Sequence, residues 1–228
     1  QFKMPFSIEE LTSSRFIDFQ ERSFVNALVP AKERGIMVHG EPVPGMFYGV
    51  AVSTGEGKNL NESNAIVDKV DLIGRIGANF ATFANKPNMV MHTALAFSDG
   101  TLRGNSAAPS FRTEARGNTL FSSGNLGSSA TDEVDRTRMG AEAALAFGPV
   151  KLQAEYAKVD FDGGTSADDR SLKAYYVSLN WLVTGEKWAD AYRAGAFSRI
   201  KPIKNFKPGG DGKGAWESGA RMSKFDAG

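Results

Sequence analysis

The stretch from Arg136 to Phe147 reads R-T-R-M-G-A-E-A-A-L-A-F, and all of its charged residues fall on one parity. Successive side chains of an extended strand point to opposite faces, so this segment has one ionic face and one apolar face. Strands of globular domains are typically about five or six residues long, whereas a tilted strand that crosses a bilayer needs about ten. The pattern therefore predicts a long, two-faced strand of the kind found in membrane barrels.

The composition excludes several classes of protein. The chain of 228 residues contains no cysteine, so disulfides, thiolate metal sites and cysteine nucleophiles are excluded. Its formal net charge of +1 argues against a nucleic-acid partner. No run of about eighteen apolar residues occurs, which excludes a transmembrane helix, whereas barrel strands give a weak alternating signal that hydropathy averages out.

Strand-like segments separated by turn signals follow one another along most of the chain. Residues 1–33 are instead predicted to form a structured loop, in which Ser7 and Glu10 make a capping-box pattern that opens a short helix. The side on which 184–213 lies depends on whether 110–116 is a strand or part of a loop, and the sequence leaves this open. The predicted strands are about 34–40, 46–53, 70–81, 89–98, 110–116, 134–147, 150–160, 171–183 and 214–225.

The two-face pattern of the opening stretch repeats in the segments 70–81, 89–98, 171–183 and 214–225. A water-soluble β-sandwich would show the same alternation, with its apolar faces in a core. Two details favour a barrel in lipid: the polar faces carry several charges per strand, and aromatic residues lie near strand ends. These aromatic residues are Tyr48, Phe147, Trp181 and Trp216.

An ordered set of motifs resembles one protein family over essentially the whole chain. The motifs are Glu10-Leu-Thr-Ser-Ser14, Phe19-Gln-Glu-Arg22, Ala146-Phe-Gly-Pro149, Leu152-Gln-Ala-Glu-Tyr156, Asn180-Trp-Leu-Val-Thr-Gly-Glu186, Gly195-Ala-Phe-Ser-Arg-Ile-Lys-Pro202, Gly214-Ala-Trp-Glu217 and Ala220-Arg-Met-Ser-Lys-Phe-Asp226. In this order they resemble the phosphate-selective porin O and P family of outer-membrane channels. One motif alone would be weak, but the order of all of them is specific.

The resemblance implies an all-β fold, an antiparallel transmembrane β-barrel of about sixteen strands whose long loops fold into the lumen. It also implies a homotrimer in the outer membrane of a Gram-negative bacterium. About nine strands are visible here, so residues 1–228 are predicted to form one partial barrel domain and further strands are expected outside it. Within it, residues 1–33 are expected to form the constriction, and residues 34–228 the strands and loops.

Basic side chains on the inward parity are the candidate pore-lining residues. Rings of Arg or Lys favour anions, and a guanidinium presents a planar set of donors that matches phosphate oxygens. Carboxylates on the same parity could instead pair with these bases and cancel their field. The candidates are Arg15, Arg22, Arg75, Arg112, Arg116, Arg136, Arg138, Lys151 and Arg221, and the carboxylates are Asp71, Glu114, Glu142, Glu155 and Glu217.

The resulting hypothesis is a passive porin for small hydrophilic solutes with an anion preference, phosphate being the leading candidate. The expected partners are inorganic phosphate or other small anions, outer-membrane lipid and further copies of the chain, without nucleic acid. No catalytic group, metal site or cofactor is predicted. Three alternatives stay open: a general porin of the same fold, a plugged structural or adhesive barrel, and a soluble β-sandwich. Arg15 and Arg22 could line the constriction or merely pair with Asp18 and Glu21.

Overall fold

The computed structural model describes residues 1–55, 70–103, 110–115, 117–124, 126, 132–163 and 169–227. Its main element is an antiparallel sheet of eight strands, which confirms the all-β prediction. None of the helices in these ranges is long and apolar enough to cross a membrane.

The elements follow the chain in a simple order. They are β1 Phe2–Lys3, α1 Ile8–Leu11, α2 Val25–Leu28, β2 Lys32–Glu33, β3 Gly35–Gly40, β4 Met46–Ser53, β5 Asp71–Asn79, α3 Phe80–Phe83, β6 Met89–Arg103, β7 Ser110–Arg112, β8 Thr119–Ser122, β9 Glu133–Phe147, β10 Val150–Asp162, β11 Arg170–Leu182, α4 Trp188–Ala191, β12 Tyr192–Arg193, β13 Ala196–Phe197 and β14 Glu217–Ala227. The large sheet, called the wall below, has the order β14-β11-β10-β9-β6-β5-β4-β3.

The prediction of a wall strand at 110–116 is wrong. Only Ser110–Arg112 is extended, and it pairs with β8 in a separate hairpin. The physical reason is that β6 pairs directly with β9 from Met89 opposite Phe147 to Arg103 opposite Glu133, which leaves no place for another strand between them. The described wall therefore has eight strands rather than nine.

Several strand boundaries also differ from the predicted ones. β6 continues to Arg103 instead of ending near residue 98. β5 ends at Asn79, whose side chain accepts a hydrogen bond from the backbone N–H of Ala81 at 3.3 Å and so begins α3. β14 begins at Glu217 rather than at residue 214.

The two faces of the wall have opposite exposure. On β9, Arg136, Arg138 and Glu142 are buried, whereas Met139 and Leu145 on the other parity are exposed. The same holds on the neighbouring strands, where the apolar parity is the exposed one. A soluble sandwich would bury its apolar parity, so this arrangement contradicts the soluble alternative and suits a wall with lipid outside.

The two ends of the wall carry different connections. The short connections 41–45, 80–88 and 148–149 lie at one end, together with residues 183–216, and we call it the short-turn end. The connections 54–70, 104–132 and 163–169, of which the first two are long, leave from the other end, which we call the long-loop end. The wall order thus places 184–213 at the short-turn end of the wall, which the sequence left open.

Residues 1–33 pack against the inward face of the wall. Two glycines permit this close approach: a Cβ on Gly140 would lie 2.7 Å from Phe6 Cε1, and one on Gly49 would lie 2.7 Å from Pro5 Cβ. Met4 and Phe6 join wall residues such as Ile73 in one buried cluster. The predicted helix start at Ser7 is confirmed, because its side chain accepts a hydrogen bond from Glu10 N–H at 3.1 Å.

Candidate functional site

The inward face is centred on the carboxylate of Glu142. Arg75 donates to it through Nε at 2.6 Å and through a second guanidinium nitrogen, and the backbone N–H of Ile8 donates to its other oxygen. The Nε2 atom of His92 lies 3.3 Å from Glu142 Oε1. One wall carboxylate thus binds two neighbouring strands and the start of α1.

Lys151 joins three parts of the chain. Its side chain is 1% exposed, and its ammonium group lies 2.7 Å from Asp18 of the inward loop. On the other side the ammonium lies over the rings of Trp188 and Phe197, at 3.7 and 4.4 Å from their centroids. The wall, residues 1–33 and residues 183–216 therefore meet at this lysine.

A second ionic cluster lies nearer the long-loop end. Asp71 of β5 pairs with Arg136, and Arg138 of β9 approaches the same carboxylate at 3.5 Å. Arg136 also donates to the carbonyl of Gly55 at 3.0 Å, and Arg138 to the hydroxyl of Ser98 at 3.3 Å. The pair of arginines that decided the two-face pattern is thus held in buried contacts.

The candidate Arg221 is also paired. It lies 3.3 Å from Glu9 and 3.2 Å from Glu114, and its guanidinium covers the ring of Phe19 at 4.8 Å. Burial raises the pKa of the Glu9 carboxyl above its ordinary value of 4.5, although hydrogen bonds from Ser23 and the charge of Arg221 oppose the rise. The ion pair of Arg221 with Glu9 therefore links β14 of the wall to the inward loop.

The loop arginines differ from each other. Arg22 lies 3.3 Å from Glu10 and donates to the carbonyls of Glu9 and Thr12, so it stabilises the loop itself. Of the two alternatives for Arg22, the described contacts favour pairing, with Glu10 rather than Glu21 as the partner. Arg15 is exposed and forms no ion pair with the described residues, because Asp18 binds Lys151 instead.

One candidate from the segment 110–116, Arg112, does not belong to the wall. Arg112 lies in β7, outside the large sheet, and its side chain is exposed. It faces a cavity of about 360 Å³ that Arg22 and Glu114 also line. Arg116 lies outside the described residues.

Residues 188–197 pack on the inward face from the short-turn end. Trp188, Tyr192 and Phe197 are buried with Ile8 and Val90 in an apolar cluster. The hydroxyl of Tyr192 is hydrogen-bonded to Nδ1 of His92 at 2.8 Å. Burial raises the pKa of this phenol, so it stays neutral. The carbonyl of Gly195 accepts a hydrogen bond from Arg75 at 2.7 Å.

Sequence reasoning missed the exposed cations of residues 183–216. This segment contains seven Lys or Arg against three Asp or Glu, a simple count that could have revealed it. All seven cations are exposed, and the only ion pair that they form with the described residues is that of Lys204 with Asp211, at 2.8 Å. The seven are Lys187, Arg193, Arg199, Lys201, Lys204, Lys207 and Lys213.

The comparison with known families agrees with this geometry. The sequence profile described as phosphate-selective porin O and P matches residues 1–228. The chain belongs to this family. A search of curated proteins gave no match. The family consists of channels, so the chain is a porin, and the predicted family membership is confirmed.

In this porin the predicted wall candidates are brought together on one face, but as paired groups. Arg75, Arg136, Arg138, Lys151 and Arg221 all lie inward and contact carboxylates. Arg75, Lys151 and Arg221 each have a carboxylate at close range, which reduces their field on a passing ion. Arg136 and Arg138 share the single carboxylate of Asp71. Six of the seven exposed cations of the segment 183–216 form no ion pair with the described residues.

Proposed function

We propose that this porin is a passive diffusion channel of the Gram-negative outer membrane that prefers small anions, with phosphate as the leading candidate. The observation that supports this preference is the excess of exposed cations on residues 183–216, part of which packs inside the wall. A fixed positive charge lowers the barrier for anions at a pore mouth. The predicted homotrimer remains part of this proposal.

The position of the segment supports its role at the mouth. Arg193 lines a cavity of about 390 Å³ at the short-turn end, together with Lys86 and Glu41. Arg199 follows the buried Phe197 closely and is exposed. Exposed charges in water attract an anion at several ångströms and release it readily, as conduction requires.

A chloride–potassium reversal potential of the full-length porin in planar bilayers tests the proposal. The variant Arg193→Gln/Arg199→Gln/Lys201→Gln is expected to lose anion preference by several-fold, since each unit charge about 8 Å away contributes about 0.5 kcal/mol in water. The effect should grow at low ionic strength, where screening is weaker. The control Lys158→Gln/Lys173→Gln/Lys224→Gln removes the same charge from the outward face and should leave selectivity unchanged.

Phosphate preference is tested by a separate measurement, the reduction of the chloride current by phosphate. Millimolar phosphate should reduce the chloride current of the unmodified porin and should do so less in the Arg193/Arg199/Lys201 variant. Failure of phosphate to reduce the current would reject phosphate and keep the anion preference. An unmodified porin that prefers cations would reject both.

One observation favours the plugged barrel as a second candidate. Residues 1–33 and 188–197 both pack on the inward face and share the cluster of Ile8, Trp188 and Phe197. Two inserted segments that touch could close the lumen. A full-length protein that inserts into bilayers without any conductance would select this candidate over the channel.

A further inference from the structure

Three large apolar side chains are exposed on the loop that precedes β14. We call residues 203–216 the rim loop. Its Ile203, Phe206 and Trp216 are 68%, 69% and 63% exposed. Apolar side chains that stand singly on a surface need no explanation, but three on one short loop indicate a surface that contacts something less polar than water.

The rim loop has a defined shape of its own. The backbone N–H of Lys207 donates to the carbonyl of Gly212 at 2.9 Å, and that of Gly214 donates to the carbonyl of Lys204 at 3.1 Å. The ammonium of Lys204 also pairs with Asp211 at 2.8 Å. These bonds close the loop on itself, so its apolar side chains are presented by an ordered structure.

Trp216 continues the outward face of the wall. Trp181 is opposite Ser218 in the register, and Val183 and Trp216 follow two positions further on the same parity. The N–H of Val183 donates to the carbonyl of Trp216 at 2.8 Å, so the pairing of the two strands continues to this point. Trp216 therefore lies beyond Trp181 on the outward face, where an aromatic girdle is expected.

The height of the outward face places Trp216 at a membrane border. Lys173 is the outward charge of β11 at the long-loop end, and Val183, the neighbour of Trp216, lies ten positions from it. At about 3.4 Å per residue and a tilt of about 40°, this separation spans about 26 Å along the membrane normal. The apolar band of membrane barrels is about 25 Å tall, so Trp216 lies at the level of the head groups.

The rim loop has a surplus of positive charge. It contains three lysines against one aspartate, and that aspartate, Asp211, already pairs with Lys204. Lys207 and Lys213 are exposed and form no ion pair with the described residues. Exposed cations beside exposed apolar side chains are typical of protein surfaces that lie on an anionic membrane.

The surroundings do not cancel this surplus. Counted from residue 183 to residue 217, the chain has seven Lys or Arg against four Asp or Glu. Of those acids, Glu186 is buried and Glu217 accepts a hydrogen bond from Asn180 at 2.8 Å. The nearest outward residues of β9 and β10 are Phe147 and Val150, which carry no charge. An anionic surface therefore complements this border of the wall.

We propose that the rim loop lies on the periplasmic leaflet of the membrane and binds anionic phospholipid. Ile203, Phe206 and Trp216 enter the boundary between head groups and acyl chains, and Lys207 and Lys213 contact the phosphates. The leaflet is the periplasmic one because the short turns of such barrels are periplasmic. This inference rests on the proposed outer-membrane location, and it is independent of the anion preference.

A nitroxide attached at Phe206→Cys measures where the loop lies, in a full-length porin that has no other cysteine. In liposomes that contain phosphatidylglycerol, the label should collide more often with molecular oxygen, which enters lipid, than with a water-soluble nickel chelate. The control is a label at Arg15→Cys, an exposed position of the inward loop, which should be reached readily by the chelate.

Native mass spectrometry of the full-length porin in detergent measures the lipid preference. Lys207→Gln/Lys213→Gln is expected to weaken phosphatidylglycerol binding by about tenfold or more, since each lysine at an anionic lipid surface strengthens binding by about fivefold. Zwitterionic phosphatidylcholine should bind the variant and the unmodified porin equally. The matched control Lys173→Gln/Lys224→Gln removes the same charge at the other border and should bind phosphatidylglycerol normally.

Three results would overturn the inference. The nickel chelate could reach the Phe206 label as freely as the Arg15 label, which would place the loop in water. The label could be shielded from oxygen and chelate alike, which would assign the loop to a contact with another copy or another protein. The lysine variant could bind phosphatidylglycerol as tightly as the unmodified porin. All three leave the channel proposal intact, whereas recovery of the native protein outside the outer-membrane fraction would overturn the location and this inference together.

Discussion

The cations of the wall and the cations of residues 183–216 are stabilised in different ways, the first by carboxylates and the second by water. Arg75 and Lys151 are buried and each contacts a carboxylate, whereas Arg199 and Lys201 are exposed without an ion pair among the described residues. A buried charge without a partner is costly, and an exposed one is solvated by water. Inward parity therefore identifies residues that hold the wall and its inserted loops together, whereas exposed cations without an ion pair lie on the connecting segment 183–216.

The largest expected effect follows from removing the Glu142 carboxylate. Glu142→Gln would place an amide NH2 against either Arg75 or the Ile8 N–H, and it would leave Arg75 buried without a counter-charge. Breaking such a pair should lower the free energy of unfolding by about 3 kcal/mol and loosen residues 1–33. Urea unfolding of the full-length porin in liposomes measures the first effect, and proteolysis of residues 1–33 the second.

A matched control for this variant is Glu41→Gln. Glu41 is an exposed acid at the short-turn end and forms no ion pair with the described residues, so its loss should change stability by less than about 0.5 kcal/mol. Equal stability of the Glu142 and Glu41 variants would show that the buried wall pair contributes no more to stability than an exposed acid does.

The next effect concerns the junction at Lys151. Asp18→Asn leaves a buried ammonium that keeps only the rings of Trp188 and Phe197, and it should cost about 3 kcal/mol of unfolding free energy. Lys151→Met in the same background replaces the stranded charge by an apolar side chain that packs between those rings. The double variant should therefore be more stable than Asp18→Asn alone.

Additive losses in this double-mutant cycle would contradict the coupling. Chemical denaturation of all four proteins supplies the cycle. Because Lys151 contacts both inserted segments, Asp18→Asn is also expected to increase proteolysis within 183–216, and unchanged cleavage there would show that the two segments are held independently.

The wall strands could be predicted because the pattern that identifies a strand lies within the strand's own residues. A period of two assigns Arg136, Arg138 and Glu142 to one face without any knowledge of the neighbouring strands. The partners of those residues are not local: the contact of Asp18 with Lys151 joins residues 133 positions apart, and that of Ile8 with Glu142 joins residues 134 apart. No periodic pattern encodes such contacts, so the paired state of the cations could not be predicted.

The same distinction explains the error at 110–116. That segment has the alternation of a strand. A strand can enter the wall only where its two neighbours are not already paired with each other, and β6 and β9 pair directly. The surplus of cations in 183–216 was countable from the sequence. Its position at the short-turn end follows only from the correct number of wall strands, since one extra strand reverses the end.

The smallest effect is expected for the exposed pair of Lys204 and Asp211. The hydrogen bond from Lys204 lowers the pKa of the Asp211 carboxyl below its ordinary value of 3.8. A lowered pKa means that the pair stabilises the folded state above pH 3.8 and that this contribution is lost as the pH falls through the lowered value. Because both side chains are largely in solvent, screening leaves the contribution too small to measure. Asp211→Asn should thus leave the pH dependence of unfolding unchanged between about pH 3 and about pH 7. A visible shift in that curve would show that the exposed pair of Lys204 and Asp211 contributes to stability as the wall pairs do.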